Sequence, residues 1–429
     1  MKKLLLPLLL IFLFAGCSSD NSPIPPPVQV DPNDPNPDPD PDPNPNDPDS
    51  VAGSAIVQTG LVPCEGGMAN GFPCNGYDLL GNVTLGNFAA SGGNDCWGWT
   101  DPDTGNEYAL MGLDNGTAFV DITDIDNLKY LGKLPTATDP SGWRDIKVYQ
   151  NHAFIVSEAV NHGMQVFDLT RLRDAGDTPV AFDADARYTG FGNAHNIVIN
   201  EDTGFAYPVG SGTFGGGAHF INIQDPKNPV AAGGHGANGY THDAQVITYN
   251  GPDADYSGKE IYIGSNENQV AIVDVTDKSS PQEISTISYS NLSYTHQGWF
   301  TEDHKYFIVG DELDEADFGF NSRTLIFDFT DLDNPVLHTT YNGPTSAIDH
   351  NGYVLGNQFF LANYTAGMRV IDITGIDGET IVEEGFFDSH PATNVAAFNG
   401  VWSVYPYFPS GKVILSDINR GLFVIQKSN

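Results

Sequence analysis

The sequence predicts an all-β fold, a seven-bladed β-propeller of four-stranded blades, and three observations carry that expectation. Seven times an apolar strand ends on one signature: AFVDITDIDN from Ala118, QVFDLTRLRD from Gln165, HFINIQDPKNP from His219, AIVDVTDKSSP from Ala271, LIFDFTDLDNP from Leu325, RVIDITGIDG from Arg369 and LFVIQ from Leu422. The marker residues Asp121, Asp168, Asn222, Asp274, Asp328, Asp372 and Gln426 stand 47, 54, 52, 54, 44 and 54 residues apart, a period of stacked units or blades. Between markers lie short runs rich in Val, Ile, Phe and Tyr, alternating with polar residues and broken by Gly, Asn, Asp and Pro, and no later stretch keeps a long helical period. Helical solenoids need two amphipathic helices per repeat and flat β-solenoids use much shorter repeats, so both are excluded. About four short strands per unit make a propeller blade.

The third unit shows the expected order of elements. AHNIVIN (Ala194 to Asn200) reads as the inner strand, Glu201 to Gly204 as a hairpin turn and FAYPVGS as the second strand. HFINIQ is then the third strand, DPKNP a tight turn and VAAGGHG the outer edge. Asp caps backbone N–H groups in such turns and Pro fixes φ where no ladder donor is wanted, so the marker Asp is read as a turn residue. The last unit stops at its third strand, while LLGNVTLGNF (Leu79 to Phe88) resembles the fourth strand YLGKLPT that begins at Tyr130. The early segment is therefore expected to complete the last blade, which ties the termini together and removes two exposed sheet edges.

Residues 1–17 read as a targeting signal: Lys2 and Lys3, an apolar run from Leu4 to Phe14, then Ala15, Gly16 and Cys17. The run is too short to span a membrane. Phe14-Ala15-Gly16-Cys17 resembles a bacterial lipobox, with Cys17 as the lipidated residue; an ordinary cleaved signal peptide is the alternative. Residues 18–50 end in DPNDPNPDPDPDPNPNDPDS, which buries no core and favours an extended, self-repelling tether. At about 3.1 Å per residue such a tether reaches on the order of 100 Å.

Residues 51–429 form the expected propeller, with 47 acids against 16 bases and hence a net charge near −31. That field argues against nucleic acid or anionic lipid as a partner and permits cations, basic proteins and neutral sugars. Cys64 and Cys74 flank the Gly-rich EGGMANGFP and are paired as a local disulfide, which leaves Cys96 as a buried apolar residue or a free thiol.

Three strings, CEGGMANGFPCNGYDLL from Cys64, WGWTDPDTGNEYALMGLDNGTAFVDITD from Trp97 and SGWRDIKVYQNHAFIVSEAVNHGMQVFDLTRLR from Ser141, closely resemble the choice-of-anchor B family of bacterial surface proteins. The resemblance covers essentially residues 60–429. It implies LVIVD-type propeller repeats and a surface location reached through varied sorting signals, and it implies no activity. Cys96 stands where the family pattern leads one to expect an apolar residue.

Aligned starts of the inner strands place one residue per blade at an equivalent point: Asp95, Arg144, His195, His242, His296, His350 and Thr393. In a propeller that point faces the top of the central channel. The loops between second and third strands carry Asp114, Glu158, Ser211, Asn266 with Glu267, Asp311 with Glu312, Asn363 and Asp417, and strand alternation brings them to the same face. Convergent imidazoles with carboxylates suit a divalent transition metal, so His195, His242, His296 and His350 are the candidate ligands, with Glu158 and Glu312 as candidate proton carriers. Against this, His-Asn, His-Asp and His-Gln pairs also build a metal-free hydrogen-bonded ring, and Arg144 repels a cation.

DPDTGNE (Asp101 to Glu107) and NEDTG (Asn200 to Gly204) resemble calcium loops, but each stands where a hairpin turn is needed and lacks the later acid. No GxSxG elbow, HExxH helix or phosphate-binding Gly loop occurs. Trp97, Trp99, Trp143, Trp299 and Trp402 are read as core residues.

The expected protein is thus a monomeric lipoprotein at the bacterial cell surface or outer membrane, its propeller extracytoplasmic. It touches the membrane only through its anchor and binds a protein or glycan ligand through the ring of Asp95, Arg144 and the four histidines. A metal-dependent enzyme on the same ring and a purely structural surface protein are the alternatives.

Overall fold

The computed structural model describes residues 58–429; Cys17, the apolar run and the Asp/Asn/Pro segment lie outside them. Seven sheets follow one another along the chain. Their inner strands are Gly93–Thr100, Arg144–Tyr149, Asn196–Asn200, Asp243–Thr248, Thr295–Phe300, Gly352–Leu355 and Val401–Tyr405, and each touches the next until the seventh touches the first. The fold is the expected seven-bladed propeller, and the blades are numbered here in that order.

Blade 3 runs Asn196–Asn200, Phe205–Val209, Ala218–Asn222 and Val230–His235 in antiparallel register. Middle strands are covered on both faces by neighbouring blades, so Glu107–Leu113 is buried throughout and reads YALMGL after an initial Glu107 that pairs with Lys412. Outer strands have one wet face and keep the period of two, as Thr380–Phe387 does. Phe119 of blade 1 stacks on Phe167 of blade 2 with centroids 4.6 Å apart. Burial of one such ring is worth about 1.5–3 kcal/mol, so repetition around the ring supplies most of the cohesion.

The marker residues are turn residues. Asp121, Asp168, Asn222, Asp274, Asp328 and Asp372 each accept, through Oδ1, the backbone N–H two residues on, at 2.8–3.1 Å. This is the Asx turn, in which a short side chain replaces a ladder partner where the strand leaves the sheet. The two calcium-like loops are turns of the same kind: Asp101 accepts from Asp103 N–H, and Asn200 from Asp202 N–H.

The N-terminal segment closes the ring as expected, with one change of boundary. Tyr77–Val83 pairs with Gly421–Lys427 as the fourth strand of blade 7, and Gln58–Val62 adds a fifth. Leu85–Phe88 is not strand but a single helical turn, because Thr84 and Asn87 form a capping box at its start. Just upstream, Phe72–Asn75 lies against the outer strand of blade 6, pairing Cys74 with Phe387. The chain therefore bridges blades 6 and 7, and the Cys64–Cys74 disulfide fastens the bridge. Cys96 is the buried thiol of the two alternatives: it is fully enclosed, and burial raises its pKa.

Candidate functional site

The inner strands all start at one face, and four of them start on histidine. His195 and His242 immediately precede their strands, His296 is the second residue of its strand, and His350 stands two before its own. The four imidazoles form a continuous arc, with successive ring centroids 4.1, 4.3 and 4.3 Å apart. All four residues are at most 4 % exposed. Imidazoles this close repel one another's protons: burial first, and then its three histidine neighbours, hold the pKa of His296 well below the ordinary value. His296 is neutral at pH 7, the state in which its nitrogens donate lone pairs.

Two further contacts set tautomers. His350 Nδ1–H donates to the carbonyl of Trp402, which leaves Nε2 as the lone-pair nitrogen, 3.4 Å from Glu312 Oε1. His195 Nδ1–H donates to Glu158 Oε1 at 2.9 Å, leaving its own Nε2 as the acceptor. A carboxylate or carbonyl behind the ring is the arrangement that orients metal-bound histidines. Glu312 is fully enclosed; its Oε1 accepts the Tyr364 hydroxyl at 2.9 Å, and its Oε2 lies 3.5 Å from His296 Nε2. One ligand atom each from His242, His296 and Glu312 fall within 4.8 Å of one another, close enough to share one ion.

The loops after the second strands reach the top face, as strand alternation requires, but only some touch the arc. Glu158 and Glu312 contact it. Asp114 instead accepts Ser91 N–H, Asn363 fastens to Ile348 O, and Asp417 accepts the Ser389 hydroxyl. Glu312 stands among the histidines, its two carboxylate oxygens beside His296 and His350.

Two ring assignments are corrected. Asp95 belongs one layer lower, in the place that Asp145 holds on the next blade, which leaves Asn94 at the ring position. Asp95 Oδ2 accepts Ile146 N–H from blade 2, just as Asp145 Oδ2 accepts Ile197 N–H from blade 3 and Gln297 Oε1 accepts Gly352 N–H from blade 6. Thr393 lies outside any strand; the seventh inner strand is Val401–Tyr405, and Trp402 takes the ring place. The apolar VAAF after Thr393 imitated a strand start.

The lower layer is charge-balanced. Lys147 Nζ lies 2.5 Å from Asp145 and 3.6 Å from Asp95. Burial raises Asp95 well above the carboxylate range, while Lys147 and a hydrogen bond from Asp95 hold Asp145 low against its own burial. Below it, Trp97, Trp299, Tyr353, Tyr405 and Tyr407 pack edge to face and fill the axis. Trp97 and Trp299 thus belong to the core, as expected. Trp402 is also buried, in a cluster with Ile348, Tyr364 and Ile418 against which Trp143 packs, and with His195, His296 and His350 the two indoles line a small depression on the top face.

The class of protein this defines is a closed, seven-bladed propeller with a histidine-rich polar axis. No family model matches the chain, and no curated protein matches it either. Solved structures do share its fold. The C-terminal WD40 domain of Sif2 aligns with a TM-score of 0.50 at 8% identity, covering 79% of this chain and 97% of that one. A Bacteroides uniformis protein provisionally named a 6-phosphogluconolactonase aligns at 0.49 and 14% identity, over 68% of this chain and 87% of that one. At such identities the likeness is one of fold alone.

Proposed function

We propose that this propeller is a binding module whose top face is centred on a divalent transition metal held by His242, His296 and Glu312, with His195 and His350 on either side. The observation that carries the reading is the enclosed set of two imidazoles and one carboxylate whose ligand atoms lie within 4.8 Å of one another. Imidazole and carboxylate together suit Zn, Fe(II), Mn or Cu, and three protein donors leave positions for a ligand. The depression beside His296 and His350 is the place for that ligand. The same open position gives the enzymatic form of the reading, in which the metal polarises a bound substrate or activates water.

The resemblance to choice-of-anchor B proteins supports a surface location, and the lipobox at Cys17 supports a lipid anchor with the acidic tether between membrane and propeller. Equilibrium dialysis of the untagged protein against Zn, Mn, Fe(II) and Cu, followed by metal analysis, tests the proposal. About one ion per wild-type chain and none in a folded His296→Ala variant is the expected result. Equal metal content in both, or none in either, refutes it.

A further inference from the structure

We propose that the ligand of the top-face depression is a small carboxylate, recognised by the guanidinium of Arg144. The setting rests on the metal-centred reading above, but the argument rests on separate residues. Four cationic side chains are buried among the described residues: Arg144, Lys147, Arg369 and Lys412. Three have a carboxylate partner, Lys147 with Asp145, Arg369 with Glu383 and Lys412 with Glu107. Arg144, 2 % exposed, makes no ion pair among the described residues.

What holds Arg144 is neutral. Its Nε–H donates to the Leu113 carbonyl at 3.1 Å, and its Nη1–H faces His162 Nε2 at 3.1 Å. His162 spends its Nδ1–H on the Gly163 carbonyl, so Nε2 accepts and the ring is uncharged; burial and Arg144 push its pKa down to about 4. The acid whose field reaches Arg144 is Asp114, which accepts Ser91 N–H. The third nitrogen, Nη2, is buried and hydrogen-bonds to nothing among the described residues. Arg144 lines the same depression as His296 and His350, between Trp143 and Trp402.

A buried cation left without a counter-charge is costly, and an arriving anion relieves that cost. Guanidinium matches planar oxyanions through paired N–H donors, and Nη2 is the donor still available. The negative field of the whole chain, with its formal charge of −37, disfavours polyanions. A small monoanion is the class left, and the indoles of Trp143 and Trp402 line the same depression as the guanidinium.

Acetate, with acetamide as its neutral isostere, is the probe. Each is titrated into the full-length protein, metal-free and Zn-loaded, and followed by tryptophan fluorescence and thermal unfolding. The expected result is saturable binding of acetate, no binding of acetamide, and a loss of about tenfold or more in acetate affinity for Arg144→Gln, as for a hydrogen bond to a charged group. Arg144→Lys, which keeps the charge and loses the fork, is expected between the two and decides the matter if the Gln variant fails to fold. Equal acetate affinity in wild type and variants, equal binding of acetamide, or no acetate binding by wild type overturns the proposal. The two readings fail separately: acetate binding that depends on Arg144 in a protein that takes up no Zn sinks the metal site alone, and Zn uptake without that dependence sinks the anion site alone.

Discussion

The histidine arc stands at the starts of the inner strands of blades 3 to 6, and Asp95, Asp145 and Lys147 stand one layer lower on those of blades 1 and 2, yet the two groups meet burial in opposite ways. In the lower layer the cation has its counter-charge: Lys147 binds Asp145, burial keeps Asp95 protonated, and both carboxylates cap backbone N–H groups of the next blade. That layer supplies its own counter-ion and holds blades together. In the upper layer neither nitrogen of the enclosed His296 makes a hydrogen bond among the described residues, although its ring is stacked between two others. Buried polar atoms are nearly always hydrogen-bonded, so an enclosed imidazole without such bonds beside an enclosed carboxylate points to a ligand that completes it. Proximity to the axis therefore does not make the two layers alike; a cation paired within the chain marks the lower one, and imidazoles stacked on one another mark the upper.

Breaking the lower layer is expected to have the largest effect. Lys147→Met leaves Asp145 and Asp95 without their cation and should lower unfolding free energy by about 3–5 kcal/mol, read from denaturant midpoints. Metal bound per folded chain should not change. The upper layer should respond in reverse. Zn at a hundred times its dissociation constant should add about 2.7 kcal/mol of stability, removed by a chelator and missing from His296→Ala. Smaller again is the effect of Tyr364→Phe, which removes the hydroxyl that orients the Glu312 carboxylate and should weaken metal affinity about 10–100-fold at unchanged stoichiometry.

The smallest effect lies away from the axis, at the ion pair of Asp101 with Arg173. A hydrogen bond from Arg173 holds the Asp101 carboxyl down to about 2. Its folded pKa is below its unfolded one, so its contribution is present above the ordinary carboxylate range and fades as pH falls toward 2. Arg173→Met should flatten the acid limb of the stability profile and leave metal uptake untouched.

Much of this architecture could be read from the chain. The Asx turns repeat because each blade needs the same exit from its third strand, so Asp121 to Asp372 announce the fold. Ring closure by the segment around Leu79 followed from a missing fourth strand. The arc from His195 to His350 was legible because strand starts recur at a nearly fixed phase. That phase is lost by one residue at Asp95, where no histidine marks the strand start, and wholly where a long loop precedes the strand, as between Thr393 and Val401. The role of Glu312 was hidden because its distance from His296 depends on how two blades pack. That Arg144 is a buried cation with neutral hydrogen-bond partners could not be read from the chain, because those partners come from another blade and another loop.

Anomalous diffraction from Zn-soaked crystals tests the central claim most directly. We expect one strong peak bounded by His242, His296 and Glu312, at about 2.0–2.2 Å from its nitrogen and oxygen ligands. A Zn-saturated crystal with no density there, or with its peak at the exposed Asp253, Asp331 and Asp333 cluster, contradicts the account.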